Sequence, residues 1–281
     1  MKIRKPEFAG SFYPSTSESI DEIFHQVLKI EKSRIQYKLS EYQIIGGIVP
    51  HAEYHKSAFE TLHFFEILAA SRKTVDTVII LNPSHTGLGG EVSLDEHDAW
   101  ESPYGTVEID QEFYNHLAIE HSPYSQTSEH SGEVILPYLQ KYIKSPFKIV
   151  PITICYQNLM NARKVADLII QANRKLHRRL LLVASSDFSH HLPPEIGQMK
   201  DNLVLDKILK MDSEGIYQSV LTNKVSICGF GPIMVLNEYT RKMASHPEVQ
   251  VLRRGNSGDV KPSRNVVDYI SIIYMNKHNN H

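Results

Sequence analysis

The length, composition and charge of the chain indicate a sizeable and nearly neutral protein. Its 281 residues include 30 Lys and Arg against 32 Asp and Glu, 2 Cys and 15 His, with a formal net charge of -2. That length fits one large α/β domain, the charge balance argues against nucleic acid or a membrane surface as a partner, and two cysteines cannot form a disulfide framework. The N-terminus lacks the apolar core of a signal peptide, and no apolar run reaches the roughly 18 residues of a membrane span. We therefore predict one domain over residues 1–281 and a cytoplasmic location.

Apolar runs of strand length alternate with helical periodicities along the chain. Apolar residues recur at helical spacing in the segments 20–30, 58–68, 112–119, 133–143, 159–169, 203–211 and 232–243. Runs of strand length lie at 44–49, 75–81, 147–154, 180–184, 249–252 and 266–274. These runs are continuous, which is typical of strands that are covered on both faces. Strand followed by helix, repeated, predicts an α/β fold with a mainly parallel sheet sandwiched between helices.

Histidine and aspartate side chains follow three of the predicted strands. Just beyond the first, second and fourth strands come His51, His85, and the pair Asp187 and His190. Because ligands of parallel α/β sheets bind at the carboxyl ends of the strands, we predict that these residues share a site. Each His taken alone is more often a hydrogen-bonded loop or core residue than a metal ligand. Two His with a carboxylate or a thiolate match an open centre for non-haem Fe(II), Zn or Cu, and the ligand types do not choose between these metals.

Cys228 is a further candidate for this site. It lies in the segment Ile-Cys-Gly-Phe-Gly-Pro at 227–232, immediately before a predicted helix. A thiol at a helix N-terminus is favoured as the thiolate, which is the form that binds metal or attacks a substrate. We predict a functional role for Cys228 and a packing role for Cys155 as an ordinary buried thiol.

The segment 129–133, which reads Glu-His-Ser-Gly-Glu, permits two interpretations. Its carboxylates suit the positive end of the helix predicted at 133–143, with Ser128 as the N-cap, so the segment could be purely structural. Alternatively, His130 and Glu133 are three residues apart and could share a face that points to the site. The sequence leaves both interpretations open.

Several other features predict no chemistry. The Gly-rich segment 253–259 lacks the Lys-Ser/Thr ending of a phosphate loop, and we predict that it is a turn into the final strand. Arg253 and Arg254 could bind an acidic group, but we favour a solvated pair. Ser185 lies near His residues, but the chain contains no G-x-S-x-G nucleophile elbow. Eleven of the 15 His, those other than residues 51, 85, 130 and 190, need no functional explanation, although His191 permits either interpretation.

Eight short motifs together resemble those of the Memo family (mediator of cell motility). They occur in the family's order over residues 4 to 275, which is nearly the whole chain. One such motif would be weak, whereas eight in order are specific. The motifs are Ala9-Gly10-Ser11-Phe12-Tyr13-Pro14, Pro50-His51-Ala52 with Tyr54, Pro83-Ser84-His85, Ser102-Pro103-Tyr104-Gly105, Glu129-His130-Ser131 with Glu133, Ser185-Ser186-Asp187-Phe188-Ser189-His190, Cys228-Gly229, and Asn256-Ser257-Gly258-Asp259-Val260.

The resemblance implies a fold similar to class III extradiol dioxygenases, whose Fe(II) is held by two His and a carboxylate. The matching Memo pocket has two His and a Cys, which fall here on His51, His85 and Cys228. Asp187 and His190 would line the same pocket, near His130. The resemblance further implies iron or copper binding with redox chemistry, and signalling as adaptors by animal members. For bacterial and archaeal members it implies a functional link to a radical-SAM protein and an AMME-domain protein.

One departure from the family pattern lies beside a predicted ligand. The family commonly reads Pro-His-Ala-Gly-Tyr, whereas position 53 of this chain is Glu. Glu53 could narrow the pocket, add a carboxylate ligand or point to solvent, and we favour the last of these. If another group must approach the backbone closely at position 53, the Glu side chain would interfere with the access of substrate.

Three functional hypotheses follow. The first is a redox enzyme that acts on a small molecule, with Fe(II) as its metal and Cu or Zn as alternatives. In it His190 would transfer protons, either oriented or charged by Asp187, and His130 would be the third catalytic residue. The oxidisable thiolate of Cys228 argues against a simple transfer of ring-cleaving activity. The second hypothesis is a non-enzymatic scaffold that binds metal or a peptide in an inherited pocket. The third is a hydrolase that uses a Zn-bound water.

Overall fold

A computed structural model describes residues 1–277, so His278 and His281, two of the histidines without a predicted role, lie outside the described residues. The strands are β1 (Ile3–Arg4), β2 (Gln43–Val49), β3 (Thr77–Pro83), β4 (Val92–Asp95), β5 (Ala99–Ser102), β6 (Gly105–Glu108), β7 (Glu120–Ser122), β8 (Lys148–Ile154), β9 (Leu180–Ser185), β10 (His190–Leu192), β11 (Pro247–Asn256) and β12 (Val266–Asn276). The helices are α1 (Ser17–Glu31), α2 (Tyr54–Ala70), α3 (Gln111–Tyr114), α4 (Leu136–Tyr142), α5 (Leu159–Leu176), α6 (Pro194–Leu209), α7 (Ser213–Asn223) and α8 (Phe230–Met243). Short 3₁₀ turns occur at Lys32–Arg34, Tyr37–Glu41, Glu133–Ile135 and Ser257–Asp259.

One nine-stranded sheet forms the centre of the fold. Its order is β10-β12-β2-β9-β3-β8-β4-β7, with β11 also paired to β12, and β1, β5 and β6 form a separate small sheet. The four central strands β2, β9, β3 and β8 are parallel. Both flanking strands, β12 and β4, run antiparallel to their central neighbours. The α/β prediction is confirmed, and the strands predicted at 249–252 and 266–274 form an antiparallel pair at one side of the parallel block.

Two adjacent glycines in β2 show that helices cover both faces of the sheet. A Cβ on Gly46 would lie 2.1 Å from the Leu182 carbonyl oxygen and 3.1 Å from Leu236 of α8, whereas a Cβ on Gly47 would lie 2.4 Å from the ring of Phe64 of α2. Successive residues of a strand point to opposite faces, so α2 and α8 lie on opposite sides of β2. Within residues 1–277 none of the helices is long and apolar enough to span a bilayer.

Most predicted elements are present, with shifted ends. The segment predicted to be helical at 112–119 forms only the single turn of α3, whose N-terminus is capped by the Asp110 carboxylate. Ser128 is not the cap of the helix predicted at 133–143, because its φ of 51° places it in the left-handed region and Gly132 precedes the 3₁₀ turn that leads into α4. Strands β1, β4 to β7 and β10 were not predicted, because they are too short to produce a clear period, and helix α7 was not predicted either.

Arg253 and Arg254 are ion-paired, so the prediction of a solvated pair is wrong. The Arg253 guanidinium lies 3.1 Å from the buried Glu31 carboxylate and 3.4 Å from that of Glu60. Arg254 contacts the buried Asp201 carboxylate at 3.3 Å. The partners come from α1, α2 and α6, which the local sequence around 253–254 does not reveal.

Glu60 gives this network a pH dependence that can be measured. Burial raises the pKa of Glu60 to about 8, even though Arg253 lowers it. A Glu in the unfolded chain titrates near about 4.3, so the folded chain retains this proton across a range in which the unfolded chain has released it. The stability contribution is therefore present at low pH and is lost as pH rises from about 4.3 towards 8, by up to about 1.4 kcal/mol per pH unit.

We expect Glu60→Gln to remove this loss, because the amide does not titrate. Urea unfolding at pH 5.5 and 7.5 should show the wild type losing about 2 kcal/mol relative to the variant over that interval. Identical pH profiles for the two proteins would contradict a protonated Glu60.

Candidate metal centre

Three neighbouring parallel strands bring the predicted site residues to one edge of the sheet. Strands β2, β9 and β3 lie side by side, and His51, Asp187 and His85 each lie two residues beyond the end of one of them. Cys228 reaches the same place from the loop before α8, where its backbone N–H donates to the Asp187 carbonyl. The edge of the sheet at which ligands bind in α/β proteins is therefore the place where these side chains meet.

The ligand atoms of His51, His85 and Cys228 form one cluster. One ring nitrogen of each His and the Sγ of Cys228 lie within 4.8 Å of one another. Cys228 Sγ is 3.1 Å from His51 Nε2, and the two imidazole rings meet edge to face with centroids 5.1 Å apart. Ligand atoms about 2.0–2.3 Å from a metal lie roughly 3–4 Å from one another, so this donor set fits a single ion with small adjustments.

Hydrogen bonds set the tautomer of His51. Ser185 Oγ donates its one hydrogen to the Ser131 carbonyl at 2.7 Å, and it also contacts His51 Nδ1 at 2.7 Å. Because that hydroxyl has no second hydrogen, it accepts from His51 Nδ1–H. The lone pair of the buried His51 is therefore on Nε2, which faces Cys228.

His85 is oriented in the same way by the buried carboxylate of Glu129. Glu129 Oε1 accepts from His85 Nδ1 at 2.9 Å, and Oε2 accepts the His85 backbone N–H at 2.6 Å. Burial alone would raise the pKa of Glu129, but the hydrogen bonds from His85 and Ser131 lower it to about 2. A metal-bound His usually donates its other ring N–H to a carboxylate in this way, which orients the ring and leaves one nitrogen free for the metal.

The environment of Cys228 differs from the prediction. Burial, followed by the negative charge of Asp187, raises the pKa of the Cys228 thiol well above its ordinary value, so the start of α8 does not by itself favour the thiolate. A cation among these donors would supply the missing positive charge. Gly229 is required for the approach of this loop, since a Cβ there would lie 2.1 Å from the Ser185 carbonyl oxygen.

Asp187 and His190 lie in the site, but they are not hydrogen-bonded to each other. Asp187 Oδ1 accepts the His51 backbone N–H at 2.8 Å, and Oδ2 lies 4.0 Å from His51 Nε2. His190 Nδ1 instead donates to the Ser226 carbonyl at 2.7 Å. The expectation that Asp187 orients His190 is therefore wrong, because the Ser226 carbonyl does so, whereas the alternative that the charge of Asp187 acts on His190 stays a prediction.

Of the two residues considered in segment 129–133, only His130 reaches the site. Its ring lies 4.6 Å from that of His85 and 4.4 Å from that of Phe12, centroid to centroid. Burial and the adjacent His51 and His85 lower the pKa of His130 to about 3, so its ring is neutral. The buried Glu133 points away from the site and holds the N-terminal segment, accepting from Arg4 at 2.5 Å.

A cavity of about 570 Å³ opens over the cluster. His51, His85, His130, Asp187 and His190 all line it, and its walls include Phe12, Tyr269, Lys56 and Lys261. That volume is within the range of small-molecule sites, roughly 300–1,000 Å³. The predicted site residues other than Cys228 thus border one space that can admit a small molecule, with Cys228 behind His51.

Comparison with known proteins identifies the family of this chain. The model of the Memo-like protein family matches residues 4–273. The chain belongs to the Memo-like protein family. A protein of Desulfurococcus amylolyticus described as a MEMO1 family protein is 35% identical, with 98% of this chain and 99% of that protein covered. A MEMO1 family protein of Pyrobaculum arsenaticum is 34% identical with the same coverage. Among solved structures, an uncharacterized Escherichia coli K12 protein superposes with a TM-score of 0.48 and 11% identity, covering 82% of this chain and 99% of its own.

In this Memo-like protein Glu53 is not directed into the donor cluster. Its carboxylate forms an ion pair with Lys56 at 2.7 Å, one turn along α2, and the side chain is about one-third exposed at 31%. Both residues line the wall of the cavity. Glu53 therefore adds a charge at the wall and is not among the grouped ligand atoms of residues 1–277.

Two residues of the Memo-like site have roles that sequence reasoning missed. Glu129 was treated as a charge at a helix start, whereas it orients His85. Ser185 was considered only as a nucleophile, whereas it fixes the tautomer of His51. The position of Ser185 at the end of a predicted strand, two residues before Asp187, was the one signal that could have found it.

We expect Glu129→Gln to weaken metal binding by about 10- to 100-fold, because the amide no longer holds His85 Nδ1–H with a charged acceptor. A competition titration of this Memo-like protein against a chelator would measure the change. His97→Gln is the matched control, since it breaks another His–carboxylate pair, with Asp95, that does not line this cavity. Equal affinities for Glu129→Gln and the control would contradict the role given to Glu129.

Proposed function

We propose that this protein binds one redox-active metal ion through His51, His85 and Cys228 and acts as an oxidoreductase on a small molecule in the adjoining cavity. The observation that supports it most is the convergence of two imidazole nitrogens and a thiol within 4.8 Å, with both His tautomers set by hydrogen bonds. Fe(II) or Cu would supply electron transfer or oxygen activation there. Two His and a thiol suit both metals, so the donor types do not choose between them.

The surrounding residues are suited to bind a substrate and move a proton. His190 donates from Nδ1 to Ser226, which leaves Nε2 as a proton acceptor in the cavity. Asp187 Oδ2 is a second acceptor, and burial raises the pKa of this carboxyl. The rings of Phe12 and His130 lie against each other, with centroids 4.4 Å apart, and form part of the cavity wall.

The thiol also restricts which reaction is proposed. A ring-cleaving dioxygenase exposes its ligands to oxygen at every turnover, and a thiolate ligand would be oxidised to sulfenic or higher acids. We therefore propose a reaction in which the substrate gives up electrons and oxygen only accepts them, rather than one that inserts oxygen into a ring.

Oxygen consumption by the metal-loaded protein tests the proposal. Protein purified without oxygen and loaded with Fe(II) or Cu should consume oxygen in the presence of a thiol reductant, and Cys228→Ser should reduce the rate by at least about tenfold. His116→Gln is the control, because His116 is exposed and outside the cavity. One metal per chain without turnover would favour the alternative, a non-enzymatic metal-binding or scaffold protein.

A further inference from the structure

A second cavity lies at the opposite edge of the sheet from the metal centre. It is bordered by the first residues of β2 and β9, by the segment after α2 and by the end of α8, and its volume is about 570 Å³. We refer to it as the basal cavity. We propose that the basal cavity is a binding site for a small amphipathic anion, meaning a carboxylate with an apolar body.

The walls of the basal cavity provide the apolar part of the site. Ile45, Leu68 and Leu181 line it, and each is at most 8% exposed. Met243 at the end of α8 lines it too and is 46% exposed, so an apolar surface continues to the mouth. An apolar chain or ring that entered would be shielded from water on several sides.

The charges around the basal cavity are of one sign. Four cationic side chains line it, those of Arg72, Lys73, Arg178 and Arg179, and no carboxylate does. Arg178 and Arg179 are neutralised by carboxylates outside the lining, Arg178 by Asp110 and Glu112 and Arg179 by Asp76. Lys73 Nζ donates only to the Tyr42 carbonyl, at 2.9 Å. Two positive charges thus remain without a carboxylate among the described residues.

Arg72 and Tyr239 supply hydrogen-bond donors that are not otherwise used. Within residues 1–277 the Arg72 guanidinium has no partner, and its backbone is held in the left-handed region at φ 53°. Tyr239 is 6% exposed, yet its hydroxyl makes no hydrogen bond within that range although it borders the cavity. The Tyr239 hydroxyl oxygen is accessible from the cavity, so a bound carboxylate would accept its hydrogen bond in place of water.

A carboxylate fits these donors better than a neutral group would. A guanidinium presents two parallel N–H groups to a carboxylate, and the Tyr239 hydroxyl adds one more donor. The ends of α2 and α8 contribute partial negative charge at this edge, but two full positive charges outweigh it. The site is independent of the metal centre, because none of the three predicted ligands borders it.

Calorimetric titration of the full chain with octanoate tests the proposal. We expect one octanoate per chain, with binding weakened at least about tenfold in Arg72→Gln and about fivefold in Tyr239→Phe. Octanol should bind much more weakly than octanoate.

The Tyr239 variant also identifies which cavity is occupied. Arg72 and Lys73 border a neighbouring cavity of about 370 Å³ as well, whereas Tyr239 does not.

Two control variants make the test decisive. Lys144→Gln removes a cation that borders only the neighbouring cavities, and His85→Ala alters only the metal centre, so both should bind octanoate within about twofold of the wild type. The proposal is overturned by the absence of binding at millimolar octanoate or by equal affinity for octanol. It is equally overturned if Arg72→Gln and Tyr239→Phe bind like the wild type, or if only His85→Ala loses binding.

Discussion

Replacing His85 with Ala is expected to abolish metal binding, lowering affinity by more than about 100-fold. His85 supplies one of the three donors. A site with only two protein donors binds a metal ion much more weakly than the three-donor site. This variant is preferable to His51→Ala, because the His85 side chain is 33% exposed whereas that of His51 is 2% exposed. Truncation of His85 should therefore disturb the fold less than truncation of His51.

Elemental analysis of protein purified without oxygen measures this effect. The wild type should carry about one metal ion per chain, and His85→Ala less than about a tenth of that. The control is His191→Asn, which alters an exposed His of the same cavity and keeps a residue type that tolerates its φ of 57°. Equal metal content in wild type and His85→Ala, or none in either, would refute the metal site.

Glu133→Gln is expected to destabilise the protein by about 3–5 kcal/mol, the cost of leaving one partner of a buried ion pair uncompensated. The side chains of Arg4 and Glu133 are 3% and 1% exposed. Glu133 also accepts hydrogen bonds from the Phe8 backbone N–H and the Tyr13 hydroxyl, both at 2.8 Å. Loss of this carboxylate would release the N-terminal segment that places Phe12 in the wall of the metal-centre cavity.

Urea unfolding measures the change, and limited proteolysis within residues 4–13 would show whether the segment detaches. The matched control is Glu101→Gln, which breaks the ion pair with Lys5, a side chain that is 69% exposed. Exposed pairs contribute about 0–1 kcal/mol, so the control should have little effect. Similar losses in the two variants would show that Glu133 does not anchor the N-terminal segment.

Local pattern was sufficient to predict the architecture and the positions of most site residues. Continuous apolar runs report burial on both faces, and the residue just beyond a parallel strand lies at the ligand-binding edge whatever the rest of the fold does. His51, His85 and Asp187 were found on this basis. Their function as ligands or proton carriers stays a prediction.

Roles that depend on a distant partner were not accessible from local pattern. Glu133 was considered for the site because it is three residues from His130, yet its partner Arg4 is 129 residues away in sequence. Arg253 looked solvated because the acidic residues that bind it, Glu31 and Glu60, lie on the first two helices. In both cases the ion-pair partner lies far away in sequence and comes close only when the chain folds.

The sequence by itself therefore determined an α/β sheet, the edge at which chemistry is placed and the residue types gathered there, because strand periodicity and strand ends are local properties. The tertiary structure alone decided which nitrogen of each His is left free for a metal, that Ser226 and not Asp187 orients His190, and that Glu133 anchors the N-terminal segment. The physical reason is that a hydrogen bond has a direction and needs a partner within about 3 Å. Such partners come from chain segments that only the folded state brings together.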